Sequence, residues 1–326
     1  MFFAHDPGGA HAIAPLIPRF NNSYVFAKGP ALNILPKAVE LPNNALQTFS
    51  PAFLITGTSA NDFTERYLWK EAAEFSIPSM AILDMWVDYG VRFSRYGSSE
   101  LHLFDGTCEY LPKFVCVMDD IAKEDMVKDG VPEEIIFTLG NPHFEYIASQ
   151  KLSHQPAVNN RKVILYASQP FDDMWRKDSE LIVLNDLVKI SREYDNLEIY
   201  IRKHPRESGE KFAGYISERI FLDKNVNVFD SIQSAEIIVS VNSMMLIEAS
   251  FFEKKIISYQ PKSKDGKNDF ILTRIGALPF ISNSKEFRNY FSELIHKKDY
   301  FHIDNKIRYT GIIDSIAAFV KEHMNE

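Results

Sequence analysis

Short apolar runs alternate with stretches of helical period from one end of the 326-residue chain to the other, and this rhythm restricts the fold more than any other feature. Parallel strands cannot be joined by tight turns, so each must be followed by a crossover, usually a helix, before the next strand begins. The fold class is therefore read as α/β. In the first half the pattern predicts strands over Phe2 to His5, Ser23 to Ala27, Ala52 to Thr56, Ser79 to Leu83, Phe114 to Val117 and Ile136 to Leu139. A crossover helix is expected over Asn61 to Phe75. Asn61 or Asp62 can cap it, Glu65 lies in its first turns, and Phe63, Tyr67, Ala72 and Phe75 supply an apolar stripe.

From Ser149 to Arg161 the rhythm lapses into a polar stretch with one proline and no period, suited to an interdomain linker. It then resumes, with strands expected at Lys162 to Ala167, Leu197 to Arg202, Ile237 to Val241 and Lys255 to Tyr259. Helices are expected at Ser179 to Glu193, Ser243 to Phe252 and Lys285 to His296. The length exceeds what one hydrophobic core usually fills. We therefore read two Rossmann-like domains, residues 1–150 and 151–308, with a C-terminal helix over 309–326 packing back on the first. Open α/β sheets place ligands at the carboxyl ends of their strands, so the site is expected in a cleft between the halves.

With a formal net charge of −8, the chain is ill suited to broad nucleic-acid binding, and an anionic ligand must find a local site. Cys108 and Cys116 have no Cys or His partner at metal-ligand spacing and read as ordinary reduced residues. No apolar run is long enough to span a bilayer, and the first residues lack the pattern of a signal peptide. A cytoplasmic location is expected, with peripheral attachment at the inner membrane face left open. The amphipathic segment Ile312 to Met324 is expected to pack on the protein's own core.

Three loops carry chemistry-bearing residues. His5-Asp6-Pro7-Gly8-Gly9-Ala10 follows the first strand and precedes a helix expected over His11 to Ile17. Its glycines permit a sharp turn and close approach of a ligand to free helix amides. Arg202-Lys203-His204-Pro205-Arg206 concentrates cations and an imidazole at a strand end, an arrangement that suits a phosphate. In Ser240-Val241-Asn242-Ser243, running into a helix that carries Glu248, the cap and exposed amides form an anion site without net charge. Ser168 and Gln169, at the end of the first strand of the second domain, border the same region; Asp172 and Asp173 beyond them read equally well as helix caps.

The His-Pro loop and the Ser-bearing strand-to-helix junction resemble the donor-binding motifs of bacterial GT-B transferases that use CMP-activated acidic sugars. This group includes sialyltransferases and capsular Kdo transferases. The resemblance implies that His204 and Ser243, with Ser240 nearby, hold the nucleotide phosphate. Phe114 to Phe144, with Gly130-Val131-Pro132 and Leu139-Gly140-Asn141-Pro142, is similar to the end of the N-terminal domain in CDP-glycerol phosphotransferases and UDP-sugar 2-epimerases. The acidic, glycine-ending base motif usual in sialyltransferases has no clear copy here; Phe104-Asp105-Gly106 is a poor substitute.

The base is then Asp6, beside His5, or Asp84 at the end of a strand, since a carboxylate in a partly dry site can be raised toward neutrality. Trp86 and Tyr89 are candidates for stacking on a sugar or for packing the domain, and Arg92 for holding a donor or acceptor carboxylate or for pairing internally. The expected function is metal-independent transfer of an acidic sugar from a CMP donor to a glycan or glycolipid in surface polysaccharide synthesis, with no cofactor beyond the donor. UDP-sugar transfer or 2-epimerisation, CDP-polyol phosphate transfer and non-catalytic nucleotide-sugar binding are the alternatives.

Overall fold

The computed structural model describes residues 1–150, 161–171, 176–263, 268–297 and 309–324. The chain divides into two compact units, Met1–Ser149 with Asn305–Glu326, and Gln150–Asp304. Most of the polar stretch read as a linker, and the Asp172-Asp173 pair, lie outside the described residues.

The first unit runs β1 (Phe2–Ala4), α1 (Pro7–Ile13), β2 (Val25–Ala27), β3 (Val39–Glu40), α2 (Ala45–Phe49), β4 (Leu54–Thr56), α3 (Thr64–Glu74), β5 (Ser79–Ile82), β6 (Phe114–Val117), α4 (Asp120–Lys128), β7 (Ile136–Thr138) and α5 (Pro142–Gln150). Its seven strands are parallel, in the order β3-β2-β1-β4-β5-β6-β7. The central strands are buried on both faces, which is why they read as unbroken apolar runs. The order reverses at β1 and β4, the switch point at whose carboxyl ends open α/β sheets place their ligands.

The second unit runs β8 (Lys162–Ala167), α6 (Ser179–Ser191), β9 (Leu197–Arg202), β10 (Ile220–Leu222), α7 (Val228–Ser234), β11 (Ile237–Ser240), α8 (Met244–Phe251), β12 (Lys255–Ser258), α9 (Ile271–Arg274) and α10 (Ser284–Leu294). Its parallel order is β10-β9-β8-β11-β12, with the reversal at β8 and β11. Each sheet is a Rossmann-like half of the GT-B type. The core of this unit gathers Ile164, Ile199, Val239 and Ile257 from the strands with Leu187, Phe287 and Phe291 from the helices.

The final helix, α11 (Ile312–Glu322), inserts Ile312, Ile316 and Val320 into the core formed by β1, β4, β5 and α1. The Glu145 carboxylate accepts the amides of Ile312 and Ile313 at 2.7 and 2.8 Å, so an acid sits at the positive end of the helix. Gly140, at φ +99°, lies where a Cβ would fall 2.8 Å from the Ile312 side chain; the Gly-Asn turn is thus required both by its left-handed backbone and by the packing of α11. Among the described residues no helix is long and apolar enough to cross a membrane.

Candidate functional site

In the first unit, the loops leaving β1, β4 and β5 converge. His5 Nδ1 lies 2.7 Å from Asp6 Oδ1, and His5 Nε2 lies 3.7 Å from Asp62 Oδ2. Asp62 is held by Lys28 at 2.7 Å; burial pushes its pKa up, but the Lys28 and Thr64 bonds outweigh it and the net shift is downward. Helix α1 begins at Pro7, four residues before the expected start, so Gly8 and Gly9 lie inside its first turn. Neither has positive φ. Their lack of a side chain serves close approach instead: a Cβ on Gly8 would fall 1.8 Å from Asp84 Oδ2, and one on Gly9 would fall 2.9 Å from Gly57 Cα. The glycines let α1 and the β4 and β5 loops close around Asp84.

Asp84 is nearly buried and pairs with Arg92, whose NH1 lies 2.9 Å from Oδ1. That guanidinium also donates to the Thr58 carbonyl at 2.5 Å and to Thr58 Oγ1 at 3.0 Å, tying the β4 and β5 loops together. Burial raises the pKa of Asp84, Arg92 opposes that, and Asp6 adds to it. Arg92 therefore pairs within the unit. Trp86 and Tyr89 are 4% and 5% exposed. Trp86 donates to Asp119 at 2.8 Å and stacks on Phe144 with centroids 5.7 Å apart. Of the two roles open to these rings, stacking on a sugar or packing the domain, their burial favours the second.

Glu65 was read only as a first-turn acid of α3, yet it is 1% exposed. Its carboxyl group accepts the Ser59 amide at 2.6 Å and the His5 amide at 3.4 Å, joining the loops after β4 and β1. Burial, helped by the charge of Asp6 and opposed by those amides, pushes its pKa up to about 8. Glu65 thus keeps a proton at neutrality. In an unfolded chain it ionises near 4.5, so the stability it contributes is full below that pH and is lost as pH rises through about 8. The expected loss is on the order of 4 kcal/mol. Denaturant midpoints at pH 5 and pH 9 should differ accordingly, and Glu65→Gln should flatten that difference.

In the second unit, the HP loop follows β9. The Glu207 carboxylate accepts the His204 amide at 2.8 Å, the Ser168 hydroxyl at 3.0 Å and the Lys211 ammonium at 2.7 Å. Glu207, which sequence reading missed, organises the loop; its signal was an acid three residues after His204, at the spacing that lets a carboxylate reach back to an amide. The Arg206 amide donates to His204 Nδ1 at 3.2 Å, which leaves the proton of a neutral ring on Nε2. Lys203 donates to the Glu207 carbonyl at 3.3 Å, and Pro205 fixes the turn. Arg202 turns to the sheet edge, where its NH1 bonds Asp223 at 2.6 Å and Ser231 at 3.0 Å.

At the reversal of this sheet, the Ser243 hydroxyl accepts the Met245 amide at 3.3 Å and caps α8. The first-turn amides of a helix have no intrahelical acceptor and favour an anion. Asn242, 5% exposed, has a side-chain oxygen buried without a hydrogen-bond partner, as does Gln169 after β8. Both amides stand at the carboxyl ends of adjacent strands, β11 and β8. Ser240 is committed elsewhere: its hydroxyl is fully buried and donates to the Ala167 carbonyl at 2.7 Å, holding β11 to β8. Glu248 is buried on α8, just over a turn from its start. Among the described residues, no group of three or more His, Cys, Asp or Glu is placed to hold a metal.

No family model and no curated protein matches this sequence. Solved structures that share its fold include UDP-GlcNAc 2-epimerase from Neisseria meningitidis bound to UDP-GlcNAc, at 14% identity and a TM-score of 0.70, covering 98% of this chain and 99% of that one. The Methanocaldococcus jannaschii UDP-GlcNAc 2-epimerase in complex with UDP-GlcNAc and UDP matches at 12% identity and 0.70, with 98% and 99% covered. A glycotransferase of kitacinnamycin matches at 12% identity and 0.56, with 99% and 94% covered. The likeness is one of fold, and it agrees with the α/β, GT-B reading.

Proposed function

We propose that this chain is a nucleotide-sugar enzyme that inverts the second carbon of a UDP-linked sugar. The observation that carries this reading is the grouping of Asp6, Glu65 and Asp84 around the ends of β1, β4 and β5, two of them with raised pKa. Glycosyl transfer by inversion needs one base. Inversion at carbon needs a group to take a proton from one face and a group to return it to the other. The fold neighbours named for UDP-GlcNAc 2-epimerisation support the same choice. A CMP donor and an acidic sugar, expected from the HP and Ser motifs, draw less support, since those motifs suit any nucleotide phosphate.

The hydrogen on the second carbon lies beside no carbonyl, so its loss is coupled to departure of the nucleotide diphosphate from the first carbon, leaving a double bond between the two. Returning a proton to the opposite face and re-adding the diphosphate gives the epimer. Within the second unit, the His204 loop, the α8 amides and Asn242 are the groups whose chemistry suits a nucleotide diphosphate. Asp84 and Asp6 take and return the proton, and Glu65 fixes the loop carrying His5 and Asp6.

Incubating the protein with UDP-GlcNAc in heavy water, with no acceptor, should give the epimer with deuterium at the second carbon by proton NMR. An unchanged sugar after hours rejects the reading, and a thermal shift with CMP but not UDP would return it to acidic-sugar transfer. His204→Ala should weaken UDP binding about tenfold by calorimetry, the loss of one charge-assisted hydrogen bond.

A further inference from the structure

The first unit holds a cavity of about 450 Å³ at the amino ends of β1, β2 and β4, the opposite edge of the sheet from His5, Asp6 and Asp84. That volume lies in the range of small-molecule pockets. Phe2, Phe20, Phe49, Phe53 and Val320 give it apolar walls. Arg19 and Lys321 are its charged lining residues, and no Asp or Glu lines it, in a chain whose formal charge is −8. Arg19 NH2 pairs with Asp314 at 3.0 Å, but both side chains are largely exposed, so the pair is screened and readily exchanged. Lys321 Nζ stands 6.0 Å above the Phe20 ring, at the rim of the aromatic wall.

We propose that this cavity binds a small amphipathic anion, with an apolar or aromatic body against the phenylalanines and a phosphate or carboxylate between Arg19 and Lys321. The apolar body accounts for the walls and the charge for the sign of the lining; neither a neutral hydrocarbon nor a free inorganic anion uses both. The inference is independent of the proposed epimerase activity.

The probe is 1-naphthyl phosphate, with 1-naphthol and inorganic phosphate as controls, read by methyl NMR of the protein labelled at methionine, since Met1 and Met324 line the cavity. Saturable shifts at those two methyls are expected with naphthyl phosphate, and affinity about tenfold weaker in Arg19→Ala/Lys321→Ala, whose exposed side chains can be removed without unfolding the unit. The absence of saturable shifts, equal affinity in the double variant, or equally tight binding of either control would overturn the proposal. Because the readout is binding at the far edge of the sheet, its failure is distinct from a failure to convert UDP-GlcNAc.

Discussion

Asp84→Asn is expected to lower turnover of UDP-GlcNAc by about 10³-fold while leaving UDP affinity within about twofold, because the change removes a proton-transfer group and no phosphate contact. The replacement is nearly isosteric, and its amide oxygen can still accept the Arg92 NH1 that lies 2.9 Å from Asp84 Oδ1. Arg92 also keeps its bonds to Thr58, so the loops after β4 and β5 stay joined. The melting temperature should therefore remain close to that of the parent. A variant that folds normally and keeps more than a tenth of parental turnover would remove Asp84 from the reaction and leave Asp6 as the base.

The largest loss of stability is expected from Arg66→Ala. Arg66 is fully buried, yet all the partners of its guanidinium are carbonyls: Arg92 at 2.8 Å, Tyr96 at 2.9 Å, Ala60 at 3.0 Å and Ser59 at 3.5 Å. It also lies 4.1 Å above the Phe63 ring. Burial lowers its pKa to about 10, so it stays charged at neutrality. Truncation would leave a void and several buried carbonyls without donors, at a cost of about 3–5 kcal/mol. Urea midpoints measure it directly, and a shift worth less than about 1 kcal/mol would show that water replaces the guanidinium. The segments it joins carry Ser59 and Arg92, so residual activity should fall as well.

How much was legible in the sequence follows from where the determining interactions lie. β6, β8 and β9 were read with their observed bounds: β6 is an apolar run buried throughout, and β8 and β9 are rich in buried β-branched and aromatic residues. β3 was missed: it is two exposed residues at the sheet edge, and an edge strand needs no apolar signal. α1 was placed too late because two glycines lower helix propensity, although Pro7 is well suited to the first helical position. The HP loop and the Ser243 cap were legible as local chemistry. Glu65 was not, since what makes it more than a surface acid is the pair of amides brought to it by β1 and β4. For Trp86 the sequence left stacking on a sugar and domain packing open, and only its contacts with Asp119 and Phe144 weigh between them.

The return of α11 to the first unit also dictates an order of assembly. Ile312, Ile316 and Val320 complete a core whose other members lie between Phe2 and Leu139. On the ribosome, residues 150–304 emerge whole and can close their own core while the earlier unit still waits for its last helix. The half synthesised first is thus the half that finishes last, and until then the apolar side chains that α11 covers stay uncovered.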